Sequence, residues 1–139
     1  MRPYKLMEQS ASEMEAFSNL GEAENIEADT IEKIEQFVCS MYGRPRLTSV
    51  NDVRLALFNQ NYASRDTSKP MEKIKGVDAS SLPQCKATLI EKMKLANFVS
   101  SVWKHANTAN PMLFSPEGHG WCIENSAHKL IWFRGNQMP

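Results

Sequence analysis

Three residues in the last quarter of this 139-residue chain carry side chains that bind transition metals: His119, Cys122 and His128, spaced H-x2-C-x5-H. Cys39, Cys85 and His105 stand elsewhere in the chain as further donors. Zinc takes about four such ligands in a tetrahedral array, and structural zinc sites announce themselves through paired C-x2-C or H-x3-H units. No such pair is present. The three residues are therefore metal candidates only, set against a simpler reading in which Cys122 is a small buried hydrophobe and the histidines belong to the surface or to a hairpin. On this reading no metal or cofactor is expected.

A cysteine nucleophile needs its thiolate beside a histidine base, and the two residues need not be close in sequence. Cys39 falls on the apolar side of one helical pattern and Cys85 in the first turn of another, both of them packing positions. No Gly-rich phosphate loop follows a strand, and no H-E-x-x-H occurs. The expectation is a protein without catalytic residues. Gly118-His119-Gly120-Trp121 has the glycines for close approach of a ligand, but the same residues make a tight turn whose indole caps a core.

Phosphate contact is the remaining chemistry. Arg44, Arg46 and Arg54, with Lys69, Lys73 and Lys75, supply cations, and Tyr42 or Tyr62 supplies a ring on which a base can stack. The first 35 residues hold nine acidic side chains against three basic ones, while the rest hold 13 basic and seven acidic. An acidic segment ahead of a basic body either shields that body or simply solubilises the chain. Because the cations are scattered rather than gathered in one stripe, the solubilising tail is preferred, and nucleic-acid binding is kept as the alternative function.

The elements that must position these residues follow from periodicity. Residues 1–28 are acidic and poor in β-branched side chains, which predicts a mobile segment with at most a short helix over 12–20 ended by Gly21. Ile31, Ile34, Phe37, Val38 and Met41 recur at helical spacing, so 31–42 is a predicted helix, with Asp29 or Thr30 as N-cap and Glu32 in capping-box position. Val50, Val53, Leu57 and Phe58 predict a second helix over 50–60, capped by Ser49. Residues 61–81 are polar and read as an exposed loop. Leu82-Pro83 opens a third, central helix over 84–106 with a wide apolar stripe. Trp121-Cys122-Ile123 and Leu130-Ile131-Trp132-Phe133 predict a terminal hairpin joined by 124–128.

The fold class expected is mainly α, a three-helix core with a small C-terminal β-hairpin, forming one domain over 29–135. Phe37, Phe58, Met93, Val99, Trp103, Trp121 and Trp132 are its expected core. Hydrophobic residues make up 42% of the chain and charged residues 23%, as in ordinary globular proteins. No apolar run approaches the roughly 20 residues of a membrane span, the N-terminus shows no secretory pattern, and three cysteines make an odd set for a disulfide framework. An intracellular protein that does not enter membranes is expected, in nucleus or cytoplasm alike.

Phe37-Val38-Cys39 with Tyr42-Gly43, Val50-Asn51-Asp52 with Arg54 and Leu57-Phe58, Leu82-Pro83, Leu95-Ala96-Asn97-Phe98, Trp103, and Gly118-His119-Gly120-Trp121 with Leu130 and Trp132 form an ordered set. Over residues 31–135 this set resembles a domain recurring in many uncharacterised invertebrate proteins, where it often stands just before a cysteine-rich tesmin-type segment. The patchy, multicopy occurrence of those proteins is similar to that of mobile elements. The chain departs from the pattern at Gln137-Met138-Pro139, where that segment would begin, so the resemblance implies a truncated or partial copy. It carries no activity onto named residues. The expected function is a non-catalytic interaction or scaffolding module of a mobile-element-derived protein, with an unknown protein partner.

Overall fold

The computed structural model describes residues 11–63 and 79–131. They form four α-helices and one antiparallel hairpin: α1 (Ala11–Ser18), α2 (Ala28–Met41), α3 (Val50–Ala63), a 3-10 turn at Ala79–Ser81, α4 (Lys86–Lys104), β1 (Trp121–Glu124) and β2 (Ala127–Leu130). The protein is mainly helical with a small C-terminal hairpin, the class its periodicities predict. The stretch expected to loop over 61–81 is helical to Ala63 and turns as 3-10 at its far end. Lys69, Lys73, Lys75 and Trp132 lie outside the described residues.

The helix α2 begins three residues ahead of its predicted start. Its N-cap is Glu27, in extended backbone and without a side-chain cap, so the capping box expected from Asp29 and Glu32 does not form. Asp29 instead sits inside the first turn, where the helix dipole favours an anion, and pairs with Lys33 one turn on at 2.8 Å. The start of α3 is held from outside: the Val50 amide donates to Oε1 of Glu35, 3.0 Å away on α2. The start of α4 is held by α3, because Asn51 Oδ1 accepts from the Lys86 amide at 3.0 Å. Helix ends leave backbone donors without partners, and here neighbouring helices supply the acceptors.

Composition places the folded domain at residue 29, but its core begins earlier. Ala16 and Leu20 are buried in one cluster with Ile34 and Met93, flanked by Phe17, Ile26, Ile31, Leu89 and Ala96. Phe17 meets Phe37 edge-on at 5.2 Å. The helix expected over 12–20 is therefore part of the core rather than of a tail, and Gly21 ends its turn at φ +87°. A second cluster joins Cys39, Val50 and Val53 to Val38, Leu47 and Leu57, with Leu89 packed against both.

Two expected core residues stand outside it. Phe37 and Met93 are buried and Phe58 and Trp121 half-buried, but Val99 is 41% and Trp103 75% exposed. The buried line of α4 runs instead through Met93, Asn97 and Ser101. Trp103 lies two residues past Ser101, about 200° around the helix, and Val99 stands in the same relation to Asn97. The inward side is polar because it anchors a loop. Asn97 Oδ1 accepts from the Gly21 amide at 2.7 Å, and its Nδ2 donates to the carbonyls of Ala23 at 2.8 Å and Glu24 at 3.2 Å. The backbones of Gly21 and Ser101 touch, and a Cβ on Gly21 would stand 2.6 Å from the Ser101 nitrogen.

The hairpin turns through Asn125 and Ser126 at φ 52° and 63°, the two positive values of a type I′ connection. Its register pairs Trp121 with Leu130 and Glu124 with Ala127, so the connection is two residues long rather than the five expected. A bond from the Ile131 amide to the Gly120 carbonyl at 2.7 Å closes its base.

Candidate functional site

His119, Cys122 and His128 point in three directions. The His119 ring is buried, with Nδ1 2.8 Å from the Ser115 carbonyl and Nε2 2.6 Å from the Glu24 carbonyl. Cys122 Sγ donates to the Lys129 carbonyl at 3.6 Å. His128 pairs with Ile123, and since cross-strand partners share a face while successive residues alternate, it lies on the face opposite Cys122. Among the described residues no three His, Cys, Asp or Glu side chains gather as a metal site would. The H-x2-C-x5-H spacing spans a tight turn and a strand, which separate the donors instead of converging them.

The thiols differ in setting. Cys39 is fully buried, and burial pushes its thiol above the usual value, with the Glu35 carboxylate adding to the effect. Cys85 is half-buried at the N-cap of α4, 3.2 Å from Thr88 Oγ1. The Thr88 hydroxyl, then the Thr88 amide, hold its thiol below the usual value, and Arg54 contributes. No histidine ring is among these partners.

The cations on the described residues are mostly engaged. Arg44 Nη2 donates to Gln60 Oε1 at 2.6 Å, and Arg54 Nη1 donates to the Pro83 carbonyl, turning inward at the junction of α3 and α4. Lys86 pairs with the buried Glu35 at 3.0 Å, and Lys104 with Glu22 at 2.5 Å. Arg46 is exposed beside Arg44 on the 43–47 turn, along a shallow cleft with Pro45 and Leu47. Tyr62 stacks on Phe58 at 6.1 Å. Arg44 and Arg46 are thus brought together, whereas Arg54 serves helix docking.

What the sequence reading misses is an apolar surface along α4. A cleft of about 330 Å³ opens between α1, α2 and α4, lined by Phe17, Phe37, Met41, Leu89, Met93 and Ala96 among others, with Lys92 as its one charged wall. Lys92, Ala96, Val99 and Trp103 fall within about 40° of one line on the helix. The same line runs on from the cleft along α4 to the exposed Val99 and Trp103, about 16 Å from Lys92 to Trp103 at 1.5 Å per residue. Val99 and Trp103 belong to the apolar stripe expected to face the core, and helical spacing alone does not tell an exposed side from a buried one.

No helix among the described residues is long and apolar enough to cross a membrane. Comparison of the chain with protein-family models, with curated proteins and with solved structures finds no match.

Proposed function

We propose that this chain is a non-catalytic protein-interaction module that receives an amphipathic helix of a partner protein along α4. The unburied apolar strip from the cleft to Trp103 carries this reading. Exposed apolar patches mark interaction surfaces, and Trp is the residue most enriched among binding hot spots. A strip of about 16 Å matches three turns of a guest helix presenting apolar residues at i, i+4, i+7 and i+11. Lys92 is exposed and forms no ion pair among the described residues, so the guest is expected to carry an acidic residue at the cleft end. The dispersal of the cysteines and histidines supports a non-catalytic role. The resemblance over residues 31–135 supports a setting in a mobile-element-derived protein.

Site-specific photocrosslinking in cells tests the reading. A benzophenone amino acid at position 103 should give a discrete protein adduct, one at Ile123 should not, and Lys92→Glu with Val99→Glu should remove it. The purified partner should then bind the wild-type chain and not the double variant. Absence of a position-specific adduct sinks the proposal, and an adduct to nucleic acid turns the reading to the basic body around Arg44 and Arg46.

A further inference from the structure

We infer that, when no partner is bound, the α4 strip is covered by α4 of a second copy of this chain, packed antiparallel so that each Trp103 enters the cleft of the other copy. The inference rests on the reading of α4 as a docking strip and names what competes for it. Its ground is that the strip is complementary to itself. Lys92, Ala96, Val99 and Trp103 stand four, three and four residues apart, so the gaps read the same from either end. Two such helices laid antiparallel about a two-fold axis set residue 92 against 103 and residue 96 against 99. Each contact then occurs twice, as an isologous interface requires.

The residues so paired fit one another. At each end an indole meets an ammonium: Trp103 is 75% exposed, and Lys92 is exposed without an ion pair among the described residues. A Lys ammonium over the face of a Trp ring is an attractive contact. In the middle the small, half-buried Ala96 faces the exposed Val99, so bulk alternates with space and the helix axes can approach to about 8 to 10 Å. Beside Lys92 lies the cleft of about 330 Å³, walled by Phe17, Phe37, Leu89 and Met93 among others. An apolar cavity of about 150 Å³ takes a benzene ring, so this cleft has room for an indole. A parallel pair has none of this fit, because it sets Lys92 against Lys92 and leaves both clefts empty.

The contact is small. A helix about 10 Å across, in contact over about 16 Å, covers well under the roughly 800 Å² per partner of a standard interface. The pair therefore separates on dilution, and it gives way to a guest helix whose carboxylate takes Lys92 from the indole. Self-docking keeps Trp103 and the cleft out of water until that guest arrives. By mass action, the apparent affinity for the guest then falls as the concentration of the chain rises.

Sedimentation equilibrium of the full chain, at concentrations up to about 1 mM, tests this. The wild type should pass from monomer to dimer and no further, since a closed two-fold contact leaves no strip free. Trp103→Arg and Lys92→Glu should each weaken the dimer at least about thirtyfold, because each change enters the interface twice. Circular dichroism should show both variants folded as the wild type is. The protein carrying both changes should dimerise again, since the antiparallel register sets the new carboxylate against the new guanidinium at both ends, whereas a parallel pair sets like charge against like. Ile123→Arg, on the exposed face of the hairpin, should leave the dimer unchanged. A wild type monomeric at about 1 mM, single variants that dimerise as it does, or a double variant no better than the singles overturns the inference. A monomeric chain that still gives a discrete adduct to another protein from position 103 refutes self-docking alone and leaves the interaction module standing, whereas a monomeric chain without that adduct refutes both.

Discussion

Glu35 should be the polar side chain whose removal costs this fold most. It is 2% exposed on α2, and its two oxygens reach the other long helices: Oε1 accepts from the Val50 amide that opens α3, and Oε2 meets Lys86 at the start of α4. In Glu35→Ala the Val50 amide loses a charge-assisted acceptor, about 2 kcal/mol. The space vacated at a fully packed junction adds about 1 kcal/mol. The ion pair adds only about 0.5 kcal/mol, because Lys86 is nearly half exposed and regains water. The expected loss is about 3.5 kcal/mol, which moves a urea midpoint by roughly 2 M at a slope of about 1.5 kcal/mol per molar. Glu35→Gln keeps a neutral acceptor for Val50 and should lose only about 1.5 kcal/mol. The assay is helical circular dichroism against urea for all three proteins, with slopes compared. A Glu35→Ala loss under about 1 kcal/mol, or equal losses for the two variants, refutes the role of the carboxylate as an inter-helix cap.

Gly21→Ala should destabilise by about 3 kcal/mol or more, since its Cβ would lie 2.6 Å from the Ser101 nitrogen at φ +87°. Gly43→Ala, at φ +76° with open space around it, should cost only about 1 kcal/mol, and thermal melts of the pair separate close packing from backbone strain. Cys85 should label with a thiol reagent far faster than buried Cys39, and Thr88→Val should slow Cys85 about threefold by raising its thiol back toward the usual value. The Lys104 ammonium holds the exposed Glu22 carboxyl below the usual range, so its contribution to stability is present above the unfolded-state value and lost as pH falls through the folded one. Lys104→Ala should flatten the acid limb of the stability–pH curve, and added salt should do the same to the wild type, because the pair is screened.

The helices of this protein were legible because each carries its own periodic signal. Ile34, Phe37 and Val38 mark α2, Val50 and Val53 mark α3, and Leu89 and Met93 mark α4, while positive-φ positions fell where Gly21 and Asn125 allow them. The hairpin was legible in type but not in register, which depends on how two strands meet at Asn125 and Ser126. The placement of Cys122 and His128 on opposite faces followed from strand alternation and could have been read once that register was known, whereas His119 stands in the turn before β1.

Residue types and spacing alone determined the mainly helical class, the positions of α2, α3 and α4, and a chain without a motif for catalysis. Only the tertiary structure decided which side of α4 is inside. Apolar residues surround much of that helix, and periodicity ranks sides by hydrophobicity, whereas burial follows what the neighbouring chain requires. Here the 21–24 turn needs an amide at Asn97 and a small residue at Ser101, so those polar positions took the interior and left Val99 and Trp103 facing out. A backbone group without a partner costs more than an exposed indole, and which loop supplies that group depends on residues 76 positions apart.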